Sequence, residues 1–114
     1  MGMSDFVEYL SEVFVEFGPI TSRKMFGGYG IYHDGLMIGL VADEQLYLKV
    51  DAESKPEFLE RGLEPFRFEM KGKVGEMSYH AAPEEIFDDP ALAREWAVRG
   101  FEAALRAKKP KPRK

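Results

Sequence analysis

The run Arg23-Lys24-Met25-Phe26-Gly27-Gly28-Tyr29-Gly30-Ile31-Tyr32-His33-Asp34-Gly35 sets four glycines among aromatic and β-branched residues. Lacking a Cβ, glycine lets a strand bulge, bend or accept the close approach of another backbone. A segment built this way belongs in a sheet and marks a place where that sheet departs from regularity. Its abilities are architectural, and by themselves they disclose no reaction.

With 114 residues, the chain suits one domain and one hydrophobic core. Apolar residues make up 45% of it and aromatics 13%, enough to bury without disulfides or metals. Cysteine is absent, which removes disulfide frameworks, thiolate nucleophiles and cysteine-ligated zinc together and fits a reducing compartment. No apolar stretch approaches the roughly 20 residues that span a bilayer, and Met1 to Asp5 does not open an export signal. A soluble cytoplasmic protein with no membrane partner is expected.

The net charge of −4 conceals a division, because Arg106, Lys108, Lys109, Lys111, Arg113 and Lys114 crowd the carboxy-terminal end. The rest of the chain is strongly acidic. Such a body repels a polyanion, whereas a short basic tail attracts one weakly and with steep salt dependence. Pro110 and Pro112 punctuate that tail. The expectation is a domain over residues 1–107 and a disordered basic tail over 108–114.

Ser4 is placed to cap a first helix whose buried stripe is Phe6, Leu10, Val13, Phe14 and Phe17, and Gly18-Pro19 ends it. From Ile20 to Val50 the composition is that of strands. Two turn signals, Asp34-Gly35 and Asp43-Glu44, divide the stretch into three antiparallel strands. Leu36 to Val41 is almost continuously apolar and reads as central, while Tyr47 and Lys49 alternate with Leu46, Leu48 and Val50 and leave one wetter face. A short helix starting at Asp51 or Ser54 carries Phe58 and Leu59 and stops at Gly62. Phe66, Phe68 and Met70 alternate with charged residues in a fourth strand, Lys71-Gly72-Lys73 turns it, and Val74 to Ala81 gives a fifth. Pro83 to Phe87 reads as a helical turn. Asp89-Pro90 starts the last and longest helix, anchored by Trp96. The predicted fold is α+β in two layers, a five-stranded antiparallel sheet with helices packed on one face, in the order α-β-β-β-α-β-β-α.

The segment Lys24 to Tyr32, the following Asp34-Gly35, Leu46-Tyr47-Leu48-Lys49-Val50-Asp51 and the later Pro65-Phe66 resemble the amino-terminal domain of the TfoX/Sxy family over roughly residues 4 to 105. The resemblance implies a secretion-chaperone-like topology and a link to regulators of natural competence for DNA uptake. Full-length regulators of that family carry a second, helical domain, so the resemblance here is to the amino-terminal domain standing alone. Arg23, Lys24, Met25, Phe26, Gly27, Gly28, Tyr29, Gly30 and Tyr32 carry this signature and are also the expected interaction surface, because a glycine-rich strand edge readily accepts another strand or chain.

No other constellation carries chemistry as well. Gly28-Tyr29-Gly30 fails the dinucleotide fingerprint, since His33 occupies the third glycine position and a hairpin follows where a helix should. The simpler reading is a bulged strand beneath a helix. His33 and His80 stand far apart, and Pro83 interrupts any metal-ligand spacing between His80 and Glu84 or Glu85. Glu84, Glu85, Asp88 and Asp89 are explained by the start of a helix, and no serine has a nucleophile-elbow context. No catalytic residue, cofactor or metal is predicted. The expected function is a non-enzymatic regulatory or interaction domain that works through protein contacts, with a homodimer as an extension. One alternative is weak nucleic-acid binding through Lys108, Lys109, Lys111, Arg113 and Lys114, with Arg23-Lys24, Lys71 and Lys73 as further cations and Tyr29 and Tyr32 as stacking faces. A small-molecule enzyme or ligand carrier, which needs a deep pocket with convergent polar groups, is the other.

Overall fold

The computed structural model describes residues 5–25, 28–70 and 72–108, without the side chains of 68–70 and 73–77. Its elements are α1 (Asp5–Val13), β1 (Thr21–Met25), β2 (Gly28–His33), β3 (Leu36–Ala42), β4 (Gln45–Lys49), α2 (Lys55–Glu60), β5 (Pro65–Met70), β6 (Lys73–Ala81), a 3₁₀ turn (Glu84–Asp88) and α3 (Pro90–Lys108). All strand pairings are antiparallel, in the order β1-β2-β3-β4-β6-β5. The sheet thus has six strands where the composition predicts five. The extra one comes from the glycine run: Met25 pairs with Gly28, so the chain reverses between them and the predicted first strand is a hairpin of two. Phe26 and Gly27 lie outside the described residues.

Local chemistry accounts for the other boundaries. Asp34 and Gly35 have φ of 56° and 80°, and Asp43 and Glu44 53° and 56°, the left-handed pairs that tight hairpins need. At the start of α3, Asp89 Oδ1 accepts the amides of Ala91 and Leu92, both at 3.1 Å. Pro90 follows as the first helical residue, where its missing N–H costs nothing. Ser54 precedes α2, with Pro56 confined to its first turn. The predicted cap Ser4 lies outside the described residues.

Register decides which side of the sheet each side chain takes, because directly opposed residues share a face. Ile31, Gly39, Leu48 and His80 form one such row across β2, β3, β4 and β6. Between Ile31 and Tyr32 the β2–β3 register slips, and Ile38 is the extra residue. That bulge lets Ile38 stay fully buried beside Gly39, which is why β3 reads as a continuous apolar run. The core joins Leu10, Val13 and Phe14, Phe58, and Ala93, Trp96 and Ala97 to Ile31, Ile38, Leu46 and Leu48. At Gly100, α3 comes so close to the sheet that a Cβ would sit 2.9 Å from the Ile38 carbonyl oxygen. Only glycine allows that approach.

Polar groups reinforce this side. Buried His80 donates from Nδ1 to the Leu63 carbonyl at 2.7 Å and lies against Phe58, whose ring meets Trp96 edge-on at 5.0 Å. His33 donates to the Pro19 carbonyl at 2.7 Å between Phe17 and Phe101. Arg106 clamps Asp51 in a bidentate pair at 2.6 and 2.9 Å, tying the end of α3 to the start of α2. Both histidines are therefore structural links.

Candidate interaction surface

The opposite face of the sheet is chemically different. Opposed pairs place Arg23, Gly30, Leu40, Tyr47 and Ala81 in one row, with Tyr32 and Met37 in a second and Lys49 and Tyr79 in a third. A Cβ on Gly30 would touch Met25 Sδ, Tyr32 and Met37 Cε, which confirms that these residues share a side. Gly30 therefore serves this far face rather than lying beneath a helix, a correction to the expectation for the glycine run. Gly28 has another role: its Cβ would lie 2.1 Å from the Val41 carbonyl oxygen, so the position admits no side chain.

Cations and rings are interleaved here. Arg23 lies over Tyr32 at 5.5 Å and Lys49 over Tyr79 at 5.1 Å. Tyr47 meets Phe66 of β5 edge-on at 5.0 Å. Phe66 also shares an apolar cavity of about 50 Å³ with Met25, Gly28 and Leu40, so the β5 end of the sheet curls toward β1–β3. Burial, reinforced by nearby Tyr32, pushes the Tyr79 hydroxyl up to about 12. Tyr32, Tyr47, Lys49 and Phe66 remain half-buried, and Arg23 is exposed. No Asp or Glu occurs in β1, β2, β3 or β4, whereas α1 carries Asp5, Glu8 and Glu12.

The structure divides the residues singled out in the sequence. Arg23, Met25, Gly30 and Tyr32 come together on the far face. Lys24 opposes Tyr29 on the other side, where Tyr29 packs against the core. Lys108 is the exposed last residue of α3, while Lys109, Lys111, Arg113 and Lys114 lie outside the described residues, as does Lys71. Arg106 is held by Asp51, with Glu53 at 3.6 Å, and so is not a tail cation. Sequence reasoning missed Met37, Leu40, Lys49, Phe66 and Tyr79 as partners of the glycine run. The alternation of Tyr47 and Lys49 was the available signal, but which strands flank β4 is written nowhere locally.

Further recesses lie elsewhere, two of them beside the helices. A groove of about 400 Å³ separates α1 from β1, lined by Val7, Glu8, Ser11, Ile20, Thr21 and Ile31 among others. The larger, about 690 Å³, runs between α2 and α3 and is edged by charged side chains already engaged with one another, such as Glu57 with Arg99. Among the described residues no cluster of three His, Cys, Asp or Glu is arranged to hold a metal. None of the helices described is long and apolar enough to cross a membrane.

An antiparallel sheet covered by α3 on one side and lined with aromatics and cations on the other defines an α+β domain with an open sheet. Residues 12–104 match the TfoX N-terminal domain, and the chain belongs to that family. A DNA transformation protein, TfoX1, of Aliivibrio fischeri is 32% identical over 89 residues, 75% of this chain and 43% of that protein. The chain thus spans less than half the length of this relative.

Proposed function

We propose that this chain is a regulatory domain in the control of DNA transformation, working without catalysis by presenting a surface to a protein partner. Family membership and the name of the Aliivibrio relative support the process. The observation that carries the mode of action is the β1 border. β1 is a terminal strand of the sheet, Arg23 and Lys24 are exposed on it, and the α1–β1 groove runs beside it. A terminal strand flanked by a groove accepts an added strand through main-chain bonds, with side chains of the partner entering the groove. On this reading the helices form one layer over one face, in the manner of secretion chaperones, and the β1–β2 hairpin serves contact. Pairing of β1 with its counterpart in a second copy is the homodimeric form of the same idea.

The test is genetic and physical together. Removal of the gene should lower transformation frequency and the transcripts of the uptake genes. Wild-type protein should restore both, and a variant with Arg23→Glu and Lys24→Glu should not, despite an unchanged melting temperature. Full transformation in the deletion strain would refute the regulatory reading; full rescue by the double variant would refute the β1 border. Light scattering at high concentration separates the homodimer from a heterologous partner.

A further inference from the structure

We propose that the far face of the sheet is a platform for single-stranded nucleic acid, with bases stacking on Tyr32, Tyr47 and Phe66 and phosphates meeting Arg23 and Lys49. Sheets that bind single strands pair aromatic rings for unstacked bases with cations for the backbone. Both are interleaved here across β1, β2, β4 and β5, at spacings of 5.0 to 5.5 Å between partners. Arg23 rests over the half-buried Tyr32 ring, where an arriving base gives the cation a phosphate in exchange, while Lys49 lies over the buried Tyr79 ring and offers its charge to the backbone of a strand stacked on neighbouring Tyr47.

Charge chooses among occupants. The strands β1–β4 set Arg23 and Lys49 on this face and hold no carboxylate, although the whole chain carries −4. A second copy laid face to face would set these cations against each other, with no acid in β1–β4 to pair them. An apolar helix would bury them unpartnered, which is costly. An acidic polypeptide satisfies the cations but makes no special use of the rings. Duplex DNA keeps its bases stacked and away from them. A single strand uses both sets, and this site is separate from the basic tail and independent of the transformation reading.

Anisotropy of a short fluorescein-labelled oligothymidylate, titrated with the whole chain at low salt, provides the test. Binding should weaken as salt rises and should survive deletion of residues 109–114. Arg23→Glu with Lys49→Glu should weaken it about tenfold or more, and Tyr47→Leu, which keeps apolar bulk but removes the ring, about fivefold. Thermal melts show whether each variant is folded, and the charge variant decides alone if Tyr47→Leu is not. An unlabelled duplex of equal length should compete less well than the unlabelled single strand. Failure of the wild-type chain to bind would overturn the proposal. So would loss of binding on tail deletion with the charge variant unaffected. Polyglutamate competing as well as the unlabelled strand, with Tyr47→Leu unchanged, would reassign the face to an acidic protein partner.

Discussion

The two faces of one sheet are built by opposite rules. Toward α3, strand residues such as Ile38, Leu46 and Leu48 are completely covered, and the polar groups among them, His80 foremost, are hydrogen-bonded. On the far side the strands carry half-buried Tyr32 and Tyr47 and buried Tyr79, with Arg23 laid across the Tyr32 ring and Lys49 across that of Tyr79. The first face is committed to holding the chain together. The second leaves the rings of Tyr32, Tyr47 and Phe66 half-buried and Arg23 exposed, and groups left accessible in this way are where a binding function is sought.

If this contrast is right, substitutions on the two faces should separate into losses of stability and losses of binding. The largest stability loss should follow Phe58→Ala, about 3–5 kcal/mol by denaturant titration, since that ring is fully buried against Trp96 and His80. His80→Leu should cost about 1–3 kcal/mol by leaving the Leu63 carbonyl without its donor. Asp51→Ala should cost about 1–2 kcal/mol, because the bidentate clamp on Arg106 is partly open to solvent.

The Arg106 guanidinium also holds the Asp51 carboxyl at about 2, below its ordinary 3.8. A depressed folded value means stability present above the ordinary value and lost as pH falls through it toward 2 and below. The acid limb of the stability profile should therefore flatten in Arg106→Ala. The smallest effect belongs to the far face. Tyr79, held near 12, resists ionising in the folded state, so stability should decline as pH rises from about 10 to 12. Tyr79→Phe should remove that alkaline decline while changing stability at neutral pH by less than about 1 kcal/mol.

Much of the helix side was legible beforehand, and the reason is locality. The Asp89 cap, the Asp34-Gly35 and Asp43-Glu44 turns and the Leu10-Val13-Phe14 stripe each depend on residues a few positions apart. The split of the first strand was not legible. Thr21 to His33 has strand composition throughout, and its glycines suit a bulge as well as a reversal. The far face was legible only in part, through Arg23, Met25, Gly30 and Tyr32. Its remaining members arrive from β3, β4, β5 and β6, and their juxtaposition depends on β6 crossing to pair with β4. Burial of His80 has the same origin: it opposes Leu48 beneath the helices, a consequence of that pairing and not of its neighbours in the chain.

Chemical-shift mapping of the whole chain against an oligothymidylate tests the contrast between the faces most directly. The account predicts shifts concentrated on Arg23, Tyr32, Tyr47 and Lys49, with α2 and α3 unmoved. Shifts confined to the α2–α3 groove around Glu57 and Arg94, or to residues 109–114, would contradict it.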